Sequence, residues 1–274
     1  SNLLVNPSAD AIVPWPIGSS VRNLPWVLKK QGLCNDNEGT MMKLFRWLWV
    51  AATLAVLANG FRVAMYVVPA DVNQGDLSRI LYYHVPTWCG MGLFFTINLI
   101  CSVVFLAIRN KNPERALKTD ALALASAEMG VVYCLIGMAT GSIWGRAAWG
   151  IWWTWDARLT TTLVLWLIYV AYLLVRRFIS GHEMRIMAAV IAIFGFADIP
   201  IVYMSTRWWR TQHPAPVFFG GPNTGLAPSM MPALWWNLAG WLAWGIFVVS
   251  LRYAAERRQQ LADQQAAHVA LEAA

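Results

Sequence analysis

One short stretch of the chain concentrates indole side chains beside a carboxylate and a guanidinium group. Between 144 and 160 the sequence places Trp144, Trp149, Trp152, Trp153, Trp155, Asp156 and Arg158. Indole combines a large flat apolar face with a single N–H donor, so a cluster of indoles suits a large flat partner at a membrane boundary. Tryptophan also gathers at membrane interfaces in general. That tendency explains the tryptophans at other helix ends better than it explains this run.

The local structure of this run affects what its carboxylate can do. If the run is helical, Trp149, Trp152, Trp153 and Asp156 form a single stripe. A carboxylate within an indole stripe is costly unless it is paired. A neighbouring arginine could pair with Asp156, or the carboxylate could accept hydrogen bonds from indole N–H groups and hold the platform rigid.

Two of the four histidines lie in predicted connections on the same side of the membrane as the aromatic run. His84 stands where the first of these connections turns into the second helix, and His213 stands in the last one. Six-coordinate haem needs one axial ligand on each face, and neutral imidazole is a common choice. Each histidine alone is more simply a helix cap or an interfacial residue. Their joint placement beside the indoles favours a bound haem with His84 and His213 as axial ligands of the iron.

Arginines on the same side could hold the haem propionates, because the guanidinium fork binds carboxylates through two hydrogen bonds. Arg79 precedes His84 and Arg158 follows Asp156, so these two are the favoured candidates. Pairing with a nearby aspartate, or with lipid phosphate, is the alternative for each.

Composition places the chain among integral membrane proteins. Of its 274 residues 58% are hydrophobic and 13% are charged, whereas a soluble domain has about 25% charged residues. The sequence therefore predicts an all-α membrane protein. Runs long enough to cross a bilayer fall at about 44–68, 87–108, 119–142, 159–178, 186–205 and 231–251.

The basic residues predict the orientation. With both termini in the cytoplasm, fifteen of the 21 lysines and arginines lie on the inner side, as the positive-inside rule requires. The aromatic run, between helices 3 and 4, is then periplasmic. The net charge of +7 needs no nucleic acid, since inner loops facing anionic lipid account for it.

Three segments follow from this pattern. Residues 1–42 are predicted to be a flexible cytoplasmic extension, 43–252 the six-helix domain, and 253–274 a cytoplasmic tail that continues the last helix. The chain has no C-x-x-C-H motif for covalent haem and no phosphate-binding G-x-x-x-x-G-K motif, so we expect no ATP hydrolysis by a P-loop.

Several motifs resemble those of a known family. The run Trp155-Asp156-Ala157-Arg158-Leu159-Thr160 closely resembles the WWD haem-handling proteins, and among them the cytochrome c maturation protein C (CcmC) family. The segments around Arg79 and His84, and Trp208-Trp209 followed by His213, resemble the first and last outer loops of that family. The likeness covers about residues 43–252.

The resemblance implies a function and partners. It implies that haem b, as a bound substrate, is held at the periplasmic face of the bacterial inner membrane between His84 and His213. It further implies delivery to a periplasmic haem chaperone (CcmE-like), with two ABC-transporter subunits (CcmA- and CcmB-like) and a small single-helix subunit (CcmD-like). The chain would orient haem for attachment and contribute no catalytic acid or base, so whether it counts as an enzyme stays open.

Two other functions are compatible with parts of the sequence. A membrane electron-transfer subunit would hold b-type haem between histidines inside the helices, yet none of the four histidines lies within a predicted crossing. A permease for a small solute would show charges or broken helices within the membrane. Asp198, close before Pro200, and Glu128 are the nearest candidates, although a helix–helix hydrogen bond explains each as well.

Overall fold

The protein is described here from a computed structural model that covers residues 36–179, 181–214, 216–218 and 225–272. Most of the predicted N-terminal extension, residues 1–35, lies outside these ranges. The chain divides into two units, 1–48 and 49–274. Residues 36–42, which we expected to be part of a flexible tail, already belong to the first helix.

The described residues are almost entirely helical, which confirms the predicted class. The long helices are α1 (Asp36–Arg62), α2 (Leu81–Ile108), α3 (Pro113–Trp149), α4 (Ala157–Phe178), α5 (His182–Phe196), α6 (Asp198–Trp208) and α7 (Met231–Glu272). Short helical turns cover Val63–Val67, Asp76–Ile80 and Pro228–Met230. Within the described ranges there is no strand, only an isolated bridge between Asp71 and Gly75.

Among the residues that the structure describes, six spans are long and apolar enough to cross a membrane, in agreement with the six predicted crossings. Five of them contain one long helix each, whereas the fifth span along the chain, Glu183–Trp208, contains both α5 and α6. Pro200 explains the interruption: its ring clashes with the carbonyl four residues earlier and it donates no hydrogen bond. That carbonyl belongs to Phe196, the last residue of α5.

Helices α2 and α3 form the central pair of the second unit, with α7 packed on both of them. Glycines allow this close approach. A Cβ on Gly90 of α2 would lie 2.2 Å from the Tyr133 ring on α3, and one on Gly130 of α3 would lie 2.3 Å from Phe95 on α2. Small residues at helix contacts are typical of membrane bundles, where close van der Waals packing replaces the hydrophobic drive.

A buried ion cluster joins three helices at the end of the bundle where α3 begins. The Asp120 carboxylate on α3 accepts two hydrogen bonds from Arg176 on α4, at 2.6 and 2.9 Å, and one from Arg185 on α5 at 3.2 Å. The side chains of Asp120 and Arg176 are only 3% and 5% exposed. Together these bonds tie the three helices to one another.

The two acidic residues that suggested a permease have different surroundings. Glu128 on α3 pairs with Arg252 on α7 at 2.7 Å, so a helix–helix contact accounts for it. Asp198 Oδ2 is buried and has no hydrogen-bond partner among the described residues.

Candidate ligand-binding site

A cavity of about 570 Å³ opens at the opposite end of the bundle, where α3 ends and α4 begins. Its walls come from α2, α3, the start of α4 and the connection after α6. Small-molecule sites in proteins usually occupy about 300–1,000 Å³. His84 and His213, which are 129 positions apart in sequence, both line it.

The tryptophan run forms a bent wall of this cavity, and because the run is not one continuous helix, the condition for a single helical stripe is not met. Helix α3 ends at Trp149, since Gly150 adopts a left-handed conformation with φ 79° that favours glycine. Residues 151–156 then continue without helix to Asp156, which caps α4.

The five tryptophans of the run divide into two groups. Four line the cavity: Trp144, Trp149, Trp152 and Trp153. Trp144 and Trp149 meet edge to face at 4.8 Å, and the Trp144 N–H donates to Gln74 Oε1 in the first connection at 3.0 Å. Trp155 is 75% exposed and is not part of the lining.

Asp156 joins the tryptophan run to the connection that carries His213. Its Oδ1 accepts from the Leu159 N–H at 2.8 Å, which caps α4. Its Oδ2 accepts a hydrogen bond from the Thr211 hydroxyl, whose oxygen in turn accepts from the His213 backbone N–H at 3.0 Å. The carboxylate therefore fixes both the start of α4 and the loop of His213.

His84 lies in the first turn of α2, and both of its ring nitrogens have partners. The Thr140 hydroxyl lies 2.9 Å from Nδ1 and itself donates to the Ile136 carbonyl on α3 at 2.8 Å. Thr140 thus accepts from Nδ1–H, and the Trp88 indole N–H donates to Nε2, which therefore carries the lone pair. A Cβ on Gly141 would lie 3.0 Å from the imidazole, so a glycine there gives the ring its room.

His213 has the same tautomer for a different reason. Its Nδ1 lies 3.0 Å from the Pro214 carbonyl, which can only accept, so Nδ1 carries the proton and Nε2 the lone pair. Burial, together with the positive charge of Arg158, lowers the pKa of His213 to about 4. The imidazole is therefore neutral near pH 7, the form that binds metal.

Three polar groups in the wall of the cavity lack hydrogen-bond partners in the part of the chain that the structure describes. The buried atoms Arg158 Nη1, Trp153 Nε1 and Thr154 Oγ1 have no hydrogen-bond partner among the described residues, and all three residues line the cavity. Buried donors without partners are costly, so this wall suits an acidic ligand group.

Arg79 is engaged elsewhere. It pairs with Asp76 at 2.8 Å and donates to the carbonyls of Ala64 and Val68. These hydrogen bonds satisfy backbone carbonyls at the end of the first span. Arg79 does not line the cavity. Its propionate role stays a prediction, and Arg158 has the more suitable position.

The two histidines, the indole wall and the unpartnered donors of the cavity fit haem. In the described part of the chain no group of three or more His, Cys, Asp or Glu side chains could hold a bare metal ion. Two neutral imidazoles can complete the coordination of an iron that already has four porphyrin nitrogens. The indole wall suits the macrocycle, and the unpartnered donors suit its propionates.

Sequence reasoning missed the residues that position the histidines. Trp88 lies four residues after His84 on α2, so its helical spacing could have indicated a contact. Thr140 lies 56 residues from His84 and Thr211 lies 55 residues from Asp156, and no pattern in the sequence points to either contact. Thr211 also accepts from the backbone N–H of His213, two residues later. Leu226 and Met230, which also line the cavity, are ordinary apolar residues in sequence.

Comparison with known proteins decides the family. The family model for heme exporter protein C, CcmC, matches residues 32–268. The chain belongs to the CcmC family. Heme exporter protein C of Haemophilus influenzae is 32% identical over 80% of this chain and 85% of its own length. The Escherichia coli K12 protein of the same name is 32% identical over 71% of this chain and 76% of its own length.

A third relative carries a different name. A putative cytochrome c biosynthesis ccmC-like mitochondrial protein of Arabidopsis thaliana is 32% identical over 77% of this chain and 74% of its own length. The CcmC match includes both histidines and the whole tryptophan run. The family suggested by the sequence motifs is thereby confirmed.

Proposed function

We propose that this CcmC protein binds haem at one end of its helical bundle and delivers it for cytochrome c maturation. Haem transport and cytochrome c biosynthesis are the functions that the names of its relatives carry. The structure supports the proposal through a cavity that joins two neutral imidazoles, an indole wall and a wall of free donors.

In this proposal, His84 Nε2 and His213 Nε2 bind the haem iron from opposite faces. One observation carries the assignment: two histidines from distant parts of the chain line one cavity, each with its Nδ1–H held by an acceptor. Such partners fix the tautomer and the ring orientation of metal-binding histidines.

The tryptophan run holds the porphyrin, and the wall of free donors holds the propionates. Arg158 is the principal propionate partner, assisted by the Trp153 N–H and the Thr154 hydroxyl. Trp144, Trp149 and Trp152 contact the ring edge. Asp156 acts at a distance by fixing α4 and the His213 loop.

The cavity faces the periplasm in a bacterial inner membrane, as the distribution of basic residues indicates. The cargo is haem b, whose vinyl groups provide the atoms for covalent attachment to a periplasmic haem chaperone. This chain's side chains orient the ring and exclude water during the transfer. Two ABC-transporter subunits and a small single-helix subunit are the expected partners in the membrane.

Absorption spectroscopy of the purified protein tests the ligand assignment. We expect a low-spin six-coordinate spectrum that either His84→Ala or His213→Ala converts to a five-coordinate one. His268→Ala is the matched control, because this histidine is 75% exposed on the far part of α7. Spectra that remain low-spin in both cavity variants would refute the assignment.

A further inference from the structure

The proposed iron-binding atom of His84 is occupied by another group of the same chain. The Trp88 indole N–H donates a hydrogen bond to His84 Nε2 at 2.9 Å, and the two rings meet edge to face at 79°. Imidazole nitrogen has one lone pair in the ring plane. The Trp88 hydrogen bond and an iron bond to Nε2 are therefore mutually exclusive.

In this tautomer of His84, Nε2 is the only ring nitrogen that can accept a hydrogen bond from the indole. Thr140 holds the proton on Nδ1, so the lone pair that Trp88 uses is the one an axial ligand needs. Trp88 lines the same cavity as His84, so its indole N–H lies where an iron atom bound to Nε2 would have to be.

The position of the indole is built into the neighbouring helix. A Cβ on Gly137 of α3 would lie 2.7 Å from the Trp88 ring, a distance at which the ring must shift. Gly141, one turn further along α3, provides the space for His84 in the same way. The two glycines thus leave space for the Trp88 and His84 rings at the positions where their hydrogen bond forms.

We propose that the Trp88 indole N–H competes with haem iron for His84 Nε2. When haem leaves, the indole N–H replaces the iron at this nitrogen. The inference rests on the proposed role of His84 as an axial ligand. When the iron–Nε2 bond breaks, the indole N–H takes the freed lone pair and stabilises the haem-free state. His84 is then the labile ligand and His213 the retained one during handover.

Haem affinity and haem loss from purified protein test this competition. Trp88→Phe keeps an aromatic ring against Gly137 but removes the N–H donor. Because a hydrogen bond contributes about 0.5–1.5 kcal/mol net, we expect about two- to thirteenfold tighter haem binding, with slower transfer of haem to an apo-globin trap. Trp236→Phe, on α7 outside the cavity lining, is the matched control and should not change either quantity.

A second variant, Gly137→Ala, tests the competitor role even if Trp88→Phe does not fold. Gly137→Ala retains the indole but pushes it from Nε2, so it should also tighten haem binding. Unchanged binding in Trp88→Phe and Gly137→Ala would overturn the competitor role, and weaker binding in Trp88→Phe would instead identify the indole N–H as a support for bound haem.

The His84→Ala spectrum separates the two proposals. A changed spectrum in His84→Ala together with unaltered haem loss in Trp88→Phe rejects only the competitor. If His84→Ala keeps the wild-type spectrum, the ligand assignment itself fails and the competitor role fails with it.

Discussion

At the scale of single residues, the two histidines are held by different kinds of contact. A side chain on a neighbouring helix fixes His84, whereas the carbonyl of the next residue fixes the His213 ring. The first contact depends on helix packing and the second on a loop. Substitutions near the two proposed ligands should therefore have different consequences.

Loss of the Thr140 hydroxyl should weaken haem binding. Thr140→Val keeps the shape of the side chain but removes the acceptor for His84 Nδ1–H, so the ring can change tautomer or rotate. Changes to such supporting partners typically reduce metal affinity about 10- to 100-fold. A haem titration of the purified variant measures the effect. Thr119→Val on the same helix, where the hydroxyl donates to the Ala116 carbonyl, should bind haem normally.

The depressed pKa of His213 predicts binding of haem in mildly acidic solution. With a pKa of about 4, the imidazole stays neutral as pH falls below 6.5 and takes up a proton only near pH 4. Haem titrations of the haem-free protein should therefore show affinity maintained to about pH 5 and lost toward pH 4. A midpoint near the ordinary histidine value of about 6.5 would contradict this.

The same shift has a consequence for folding. Because the folded-state pKa lies below the unfolded one, His213 contributes full stability above about pH 6.5 and loses it progressively as pH falls toward 4. His213→Ala should therefore unfold with a weaker dependence on pH across this window than the wild type.

At the scale of elements, Asp156 connects a helix start to a loop. It caps α4 with one oxygen and accepts from Thr211 with the other. The sequence identified this aspartate and its neighbouring tryptophans as unusual, but not the shape of their segment. That shape depends on the left-handed Gly150 and on contacts with a loop 55 residues away, neither of which a local pattern encodes.

Two substitutions separate the roles of Asp156. Asp156→Ala removes both the cap and the loop contact, so it should lower stability by about 1 kcal/mol and also weaken haem binding. Thr211→Val removes only the loop contact, and should weaken haem binding while thermal stability falls less. Melting curves in detergent and haem titrations measure the two effects. Equal binding by Thr211→Val and wild type would show that the loop needs no such contact.

At the scale of the whole molecule, the six spans were predictable because membrane insertion depends on long apolar runs. The packing partners were not predictable, since pairs such as Gly90 with Tyr133 and Gly130 with Phe95 depend on which helix faces meet. The ion cluster of Asp120, Arg176 and Arg185 was likewise not predictable, because its members lie on three different helices and no local pattern pairs them.

Asp120→Asn should destabilise the whole bundle but leave the cavity unchanged. It leaves the buried Arg176 guanidinium without its counter-charge, which typically costs about 3–5 kcal/mol. We expect a large drop in melting temperature, with a normal haem spectrum in the protein that remains folded. Glu114→Gln, in an exposed pair with Lys118, should melt like the wild type. An altered spectrum in folded Asp120→Asn would show that the two ends of the bundle are coupled.

The hydrogen bond between the indole and His84 also bears on which metals the empty protein can collect. Imidazole nitrogens readily bind zinc, copper and nickel, and an unguarded pair of them in a membrane pocket would scavenge such ions. Here one of the two lone pairs is already used, so a stray divalent cation would meet a single available nitrogen. Only a ligand whose metal already has most of its coordination sphere binds strongly enough to displace the indole from His84 Nε2. The pocket is therefore selective against free metal ions.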